Sequence, residues 1–306
     1  MMTYLGQRIV RLILQVLLVL ALVFVLFRLV PGNPILLLTG GTATQQQIHQ
    51  LSVQMGWNQP LWIQLIHYVS QVFRFRLGTS LLYNQPVSAV IAVHLPPTLA
   101  LTGASMLIAI IIGVPSGIIT AIYPRSISTK GIDVAWILLL AIPNFWLALL
   151  LVQVFAVRLH WLPVLGYGSS LALILPAVGI GARLIALISQ VTRASINEVF
   201  TQPFIQVAQS KGLSRTRLLF KHTLKPAALP ILTMIGLQTG YLLGGSVVIE
   251  NVFSYPGVGQ LLLSAIDMHD YALIEGLALT FVTLFLIVNL LVDLAYAWMD
   301  PRIHYV

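Results

Sequence analysis

The sequence predicts an all-α integral membrane protein with six transmembrane helices. Of its 306 residues, 58% are hydrophobic and 8% are charged, the mean hydropathy is +0.94, and the apolar residues gather in six continuous runs. A soluble domain carries about a quarter charged residues. A helix rising about 1.5 Å per residue through about 30 Å of hydrocarbon needs roughly 20 mostly apolar residues. The runs that meet this cover residues 9–30, 97–123, 132–157, 171–191, 227–249 and 274–298. None alternates in segments of about ten residues, as the strands of a membrane barrel would.

The first run is too long for the apolar core of a signal peptide and no small-x-small site follows it, so it reads as a span with Arg8 and Arg11 as its anchor. The chain has no cysteine, which removes structural disulfides, thiol catalysis and Cys-based metal sites. Its net charge of +8 is explained by topology. With six spans both termini lie on one side, together with Arg8, Arg11, Arg125, Lys130, Arg193, Lys211, Arg215, Arg217, Lys221, Lys225 and Arg302. The other side holds Arg28, Arg74, Arg76 and Arg158. The positive-inside rule therefore assigns both termini and the loop 192–226 to the cytoplasm of a bacterial inner membrane protein. No basic-aromatic module or zinc spacing accompanies these charges, so nucleic acid is not an expected partner.

Two parts are expected: residues 1–96, a span plus an outer segment, and residues 97–306, a five-span core. In the outer segment 31–96, Leu61, Trp62, Leu65, Ile66, Val69, Val72 and Phe73 recur at helical spacing, with Gln64, His67, Gln71 and Arg74 opposite. This pattern predicts an interfacial amphipathic helix. Pro115 and Pro143 each remove a backbone donor within an apolar run, so kinks are expected there, set against fixed packing features as the alternative.

The cytoplasmic loop 192–226 carries helix punctuation. Pro203 suits a first turn and Gly212 a position just past a helix end, which predicts a short helix over 203–211. Phe204, Val207, Ala208 and Lys211 would share one face, with Gln206, Gln209 and Ser210 turned away. Ser214 would cap a second helix through Leu224. Nine residues are too few for a stable lone helix, so one face packs on the membrane body. The segment is then either an ordinary connector or a seat for a partner protein.

Motifs along nearly the whole chain resemble the permease subunits of ABC importers of the dipeptide, oligopeptide and nickel class. They are Arg28-Leu29-Val30-Pro31-Gly32-Asn33-Pro34, Leu77-Gly78-Thr79-Ser80, Gln85-Pro86-Val87, Leu95-Pro96-Pro97-Thr98-Leu99, Ile142-Pro143-Asn144-Phe145-Trp146 and Trp161-Leu162-Pro163. The run from Gly244 to Gly259, with Glu250, Asn251, Tyr255, Pro256 and Gly257, then Asp293 and Asp300-Pro301-Arg302, completes the series. Gln206-Val207-Ala208-Gln209-Ser210-Lys211-Gly212-Leu213 is similar to the family's coupling loop. It lacks the acidic first residue of importers at large, as peptide-type permeases usually do.

The resemblance implies a second homologous permease subunit, two cytoplasmic ATPase subunits and an extracytoplasmic solute-binding protein. Phe204, Gln206, Val207, Ala208, Gln209, Ser210, Lys211, Gly212 and Leu213 would form the ATPase-coupling element. The chain contains no Gly-x-x-x-x-Gly-Lys-Ser/Thr cradle, so it needs no cofactor of its own. ATP and its magnesium would belong to the partner ATPases.

Charges within the spans are costly and need a reason. Asp293 and Arg183 lie at comparable depth, and pairing between them is the favoured reading over contact with solute. Glu250 and Asn251, at the outer end of the fifth run, either face an entering amine or cation or cap the helix end. With Asn144 and Asp293 they are the candidates for the translocation path. The His residues form no His-Glu-x-x-His pattern and no metal site is expected. An ion-gradient-driven secondary transporter is the main alternative, although no repeated halves are visible. An intramembrane enzyme lacks a converging nucleophile and base. The cargo class, whether dipeptide, oligopeptide or nickel chelate, is not legible.

Overall fold

The computed structural model describes residues 2–29, 44–54, 58–74, 76–164 and 167–299. The motif positions Val30 to Pro34 and Asp300 to Arg302 lie outside them. Among the described residues nearly all regular structure is helical, apart from an isolated antiparallel bridge between Thr79 and Pro86.

The chain divides into two compact units, Met1–Pro96 with Gln260–Leu286, and Pro97–Gly259 with Ile287–Val306. The first unit contains α1 (Met2–Leu29), α2 (Gln45–Gln54) and α3 (Leu61–Phe73). The predicted amphipathic helix is α3, but its apolar residues divide. Tyr68, Val69 and Val72 pack with Leu20 and Val23 of α1 and with Leu279, whereas Leu61, Trp62, Ile66 and Phe73 stay exposed. Residues 77–86 form a tight loop closed by the Val87 amide donating to the Gly78 carbonyl at 3.0 Å. Asp270, fully buried, anchors this loop: Ser80 Oγ donates to it at 2.6 Å and the Leu82 amide at 3.1 Å.

The remaining helices are α4 (Val87–Ile122), α5 (Ile127–Ala141), α6 (Asn144–Leu151) with a π-helical continuation Val152–Arg158, α7 (Ser170–Phe200), α8 (Pro203–Ser210) and α9 (Arg215–Leu218). After a π-helical turn Leu219–Thr223 come α10 (Leu224–Gly245), α11 (Val247–Val252), α12 (Val258–Asp267) and α13 (Tyr271–Met299). Four helices are long and apolar enough to cross a membrane: Val87–Ile122, Ser170–Phe200, Thr216–Gly245 and Tyr271–Tyr296. Ile127–Ala141 and Asn144–Arg158 meet the same test as a bent pair, and α1 carries a shorter apolar stretch, Ile13–Leu26.

The two prolines behave differently. The third run breaks, with its halves bent by 108°. A residue before proline is pushed out of the helical region, and Ile142 is extended at φ −82°, ψ 129°. Pro143 is extended as well, at φ −62°, ψ 136°. Its carbonyl then accepts from the Trp146 and Leu147 amides and starts α6. By contrast, α4 continues through Pro115.

In the second unit α7 packs against α5, α6, α10 and α11. α4 meets α7 at near-backbone distance. A Cβ on Gly117 would lie 2.5 Å from the Ser189 carbonyl oxygen, and one on Gly113 2.9 Å from that of Ile185. The contact also holds buried hydroxyls, with Ser116 Oγ donating to Ser189 Oγ at 3.0 Å and Trp136 Nε1 donating to the same oxygen at 3.0 Å. Small residues and shared hydroxyls are how helices approach closely where hydrocarbon supplies no hydrophobic drive.

Candidate coupling surface and embedded polar sites

α8 begins where the extended Gln202 hands on to Pro203 in the first turn, a position at which the missing amide costs nothing. Ile205 is fully buried in a cluster with Ala121, Ile196, Val199, Leu218, Leu219 and Ala227, and Ala208 and Leu213 pack against it. The helix ends in a Schellman motif. The Leu213 amide donates to Ala208 at 3.4 Å, the Gly212 amide to Gln209 at 2.9 Å, and Gly212 takes φ +78°.

Phe204, Val207 and Lys211 share one side of α8 as predicted, while Ala208 turns to the packed side. Ile205, not Phe204 or Val207, anchors α8 together with Ala208. Phe204 (48% exposed) and Val207 (56%) lie open, as do Gln206, Gln209, Ser210 and Lys211. Positions 204, 207 and 211 therefore form an exposed stripe, apolar at two positions and cationic at the third.

The second helix of the loop 192–226 also differs from expectation, because it does not stop at Leu224. The Arg217 amide reaches Ser214 Oγ at 3.5 Å at its start. Thr223 Oγ1 donates to the Leu218 carbonyl at 3.1 Å within the π-helical turn. Beyond that turn the helix runs into α10, so Thr216–Gly245 forms one apolar helix. Only residues 211–214 separate it from α8.

The polar residues expected along the path differ in burial. Asn144 is half-buried in the first turn of α6, and Asn251 is exposed on α11, which packs on α6. Asp293 is half-buried on α13. Glu250 is wholly buried. Thr98 Oγ1 and Ser246 Oγ donate to its Oε1 at 2.8 and 2.9 Å, and the Gly259 amide donates to its Oε2 at 2.7 Å. The Val258 amide in turn donates to Thr98 Oγ1 at 2.9 Å. Glu250 thus fastens the turn 253–257 to α4, and a Cβ on Gly257 would lie 2.4 Å from its carboxylate carbon. Within this turn burial pushes the Tyr255 phenol up to about 12, with smaller contributions from Tyr167 and Glu250.

The expected Arg183–Asp293 pair is absent from the ion pairs of the described residues. Arg193 Nη1 instead donates to both Asp133 oxygens, at 2.8 and 2.9 Å, joining α7 to α5. Asp133 escaped the sequence reading. The available signal was an acid at the edge of an apolar run whose flanking charges are mostly basic. No cluster of three or more His, Cys, Asp or Glu residues that could hold a metal occurs among the described residues.

Residues 113–305 match the family described as binding-protein-dependent transport system inner membrane component. Residues 1–102 match the corresponding N-terminal family. The glutathione transport system permease protein GsiC of Salmonella choleraesuis is 39% identical over 306 residues, covering 100% of both chains. The protein of that name from Escherichia coli K12 is 39% identical over 313 residues, again with full coverage of both. Among solved structures, an inward-facing form of the MetNI methionine ABC transporter aligns with a TM-score of 0.59 at 17% identity, over 69% of this chain and 96% of that one. A histidine-bound amino acid ABC transporter aligns with a TM-score of 0.55 at 15% identity, covering 68% and 93%. These structures share the fold of the helical core. The chain belongs to the family of binding-protein-dependent transport system inner membrane components, as a multi-pass permease subunit of an ABC importer.

Proposed function

We propose that this chain pairs with a second permease to form the path by which a small peptide, of the glutathione or dipeptide to oligopeptide type, enters the cell. An extracytoplasmic binding protein delivers the solute, and two cytoplasmic ATPases, which hold the ATP and magnesium, drive the cycle. In this reading α1 and the bent pair complete six spans, and both termini are cytoplasmic. The exposed row Leu61, Trp62, Ile66 and Phe73 of α3 meets the outer membrane interface.

The observation that carries the reading is the stripe Phe204, Val207 and Lys211, open to a partner while Ile205 ties its helix to the membrane body. Closure of the ATPase pair would push on this stripe. The Schellman turn at Gly212 would pass the displacement to Thr216–Gly245, and hence to the region of Asn144, Asn251 and Asp293. Glu250 serves that region as a buried fastener. The 39% identity to glutathione permeases favours peptide-like cargo over nickel chelates.

The test is reconstitution of the full complex in proteoliposomes with labelled glutathione and a labelled dipeptide. Uptake should require ATP and the binding protein, and should persist when ion gradients are collapsed. Uptake that follows the gradient and ignores ATP would overturn the reading.

A further inference from the structure

α7 is the most enclosed of the four long apolar helices: 67% of its most apolar stretch is buried, against 11% for Tyr271–Tyr296. In its outer half Leu175, Ala177, Ile180 and Ala182 are all buried. Inward of them one strip stays open. Arg183, Gln190 and Asn197 are each exposed, Ala194 joins them, and the exposed carboxylate of Glu198 borders the inner end of the strip. Seven residues make nearly two turns, so these side chains fall on one line with about 10.5 Å between successive members. To either side Leu184, Ala186, Ile188, Thr192 and Ile196 are buried.

The chemistry of the strip sets it apart. Many exposed positions on the other long helices are aliphatic, as at Leu107 and Ile111 of α4, Val134 and Leu138 of α5, and Leu291 of α13. Such surfaces suit hydrocarbon. A guanidinium and two carboxamides do not, and ionisable groups at membrane depth face a water-filled cavity or a partner. Arg183 has no carboxylate at ion-pair distance among the described residues, whereas Arg193 on the same helix holds Asp133 at 2.8 Å. Val191, next to Gln190 in sequence, borders an open, mainly apolar groove of about 630 Å³ lined also by Leu229, Pro230, Thr233, Met234, Leu237 and Tyr296. The Tyr296 and Thr233 hydroxyls are hydrogen-bonded to each other there.

We propose that the Arg183–Gln190–Asn197 strip is the wall of an aqueous, inward-opening section of the solute path, with Arg183 at its head receiving the carboxylate of an anionic solute. The proposal rests on the importer reading. A guanidinium presents paired donors that match a carboxylate, and the two carboxamides below offer both donors and acceptors to peptide groups.

The chain lacks cysteine, so label found on this subunit after its separation from the others reports the introduced thiol alone. Gln190→Cys, with and without Arg183→Gln, is placed in the complete complex in everted vesicles beside Leu138→Cys as an apolar-face control. Reaction rates are measured with anionic and cationic thiosulfonates of equal size. Cys at 190 should react with both, the anion about tenfold faster because a nearby fixed cation concentrates it. Arg183→Gln should bring the ratio close to one, Arg183→Lys should keep it, and S-methylglutathione, which has no free thiol to consume the reagent, should slow the anionic reagent only where the cation remains. Position 138 should be unreactive to either. Reaction at 190 with a lipid-soluble maleimide alone would overturn the proposal, as would a charge preference that survives Arg183→Gln. Ala194→Cys serves as the second site if Gln190→Cys fails to assemble. Loss of ATP-driven uptake in the parent complex with the reagent pattern intact would count against the importer reading and leave the strip standing.

Discussion

The carboxylate of Glu250 accepts the Gly259 amide hydrogen at 2.7 Å, across a turn in which Gly257 leaves no room for a Cβ. Glu250→Ala would strand that amide, and the Thr98 and Ser246 hydroxyls would lose their acceptor. The expected loss is about 2–4 kcal/mol, set chiefly by the buried amide. Glu250→Gln should cost less, since its carboxamide oxygen still accepts from Gly259 while the hydroxyls turn to accept from its amino group. Survival of the monodisperse peak after heating in detergent should rank wild type above Gln and Gln above Ala.

The close approach of α4 to α7 gives a paired test. Gly117→Ala places a Cβ 2.5 Å from the Ser189 carbonyl oxygen, whereas at Gly103 nothing lies within 4 Å. Gly117→Ala should destabilise by about 1–3 kcal/mol through forced separation of the helices. Gly103→Ala should be neutral or slightly stabilising, because alanine is the better helix former. Equal thermal stability of the two variants would contradict the close contact.

On α8, anchoring and partner contact should separate. Ile205→Ala removes a fully buried side chain and should cost about 2–4 kcal/mol of stability. Phe204→Ala and Val207→Ala, on the open stripe, should leave the melting of the isolated chain within about 0.5 kcal/mol of wild type. Both should weaken retention of the ATPase subunits through detergent purification.

Gly212 sits at φ +78° with open space around its missing Cβ, so only backbone strain opposes substitution there. Asparagine tolerates this region and valine does not. Gly212→Asn should keep most substrate-stimulated ATP hydrolysis. Gly212→Val should lose it while the complex still assembles. Normal stimulation in a folded valine variant would show that the turn is not the coupling joint.

The apolar runs, the helix from Pro203 and the glycine that ends it were legible because each rests on local chemistry: hydropathy, a missing amide, a permitted φ. What depended on tertiary partners was not. Pro115 and Pro143 look alike in sequence, yet only Pro143 interrupts its helix, together with an Ile142 that leaves the helical region. Phe204 and Ile205 are neighbours of similar hydropathy, and the cluster under α8 selects Ile205. The sequence leaves Glu250 between solute contact and a helix-end cap, and the hydroxyls and amide that meet its oxygens are brought in only by the fold. Asp133 becomes notable only once Arg193 stands opposite.

Thr98 and Glu250 are separated by 152 positions, and the Gly259 amide is later still in the chain. During synthesis, α4 is made and inserted long before its acceptor exists, so Thr98 and the small-residue face of α4 must wait in the bilayer for their partners. Closure at Glu250 therefore marks a late step in biogenesis, when five of the apolar runs have already left the ribosome.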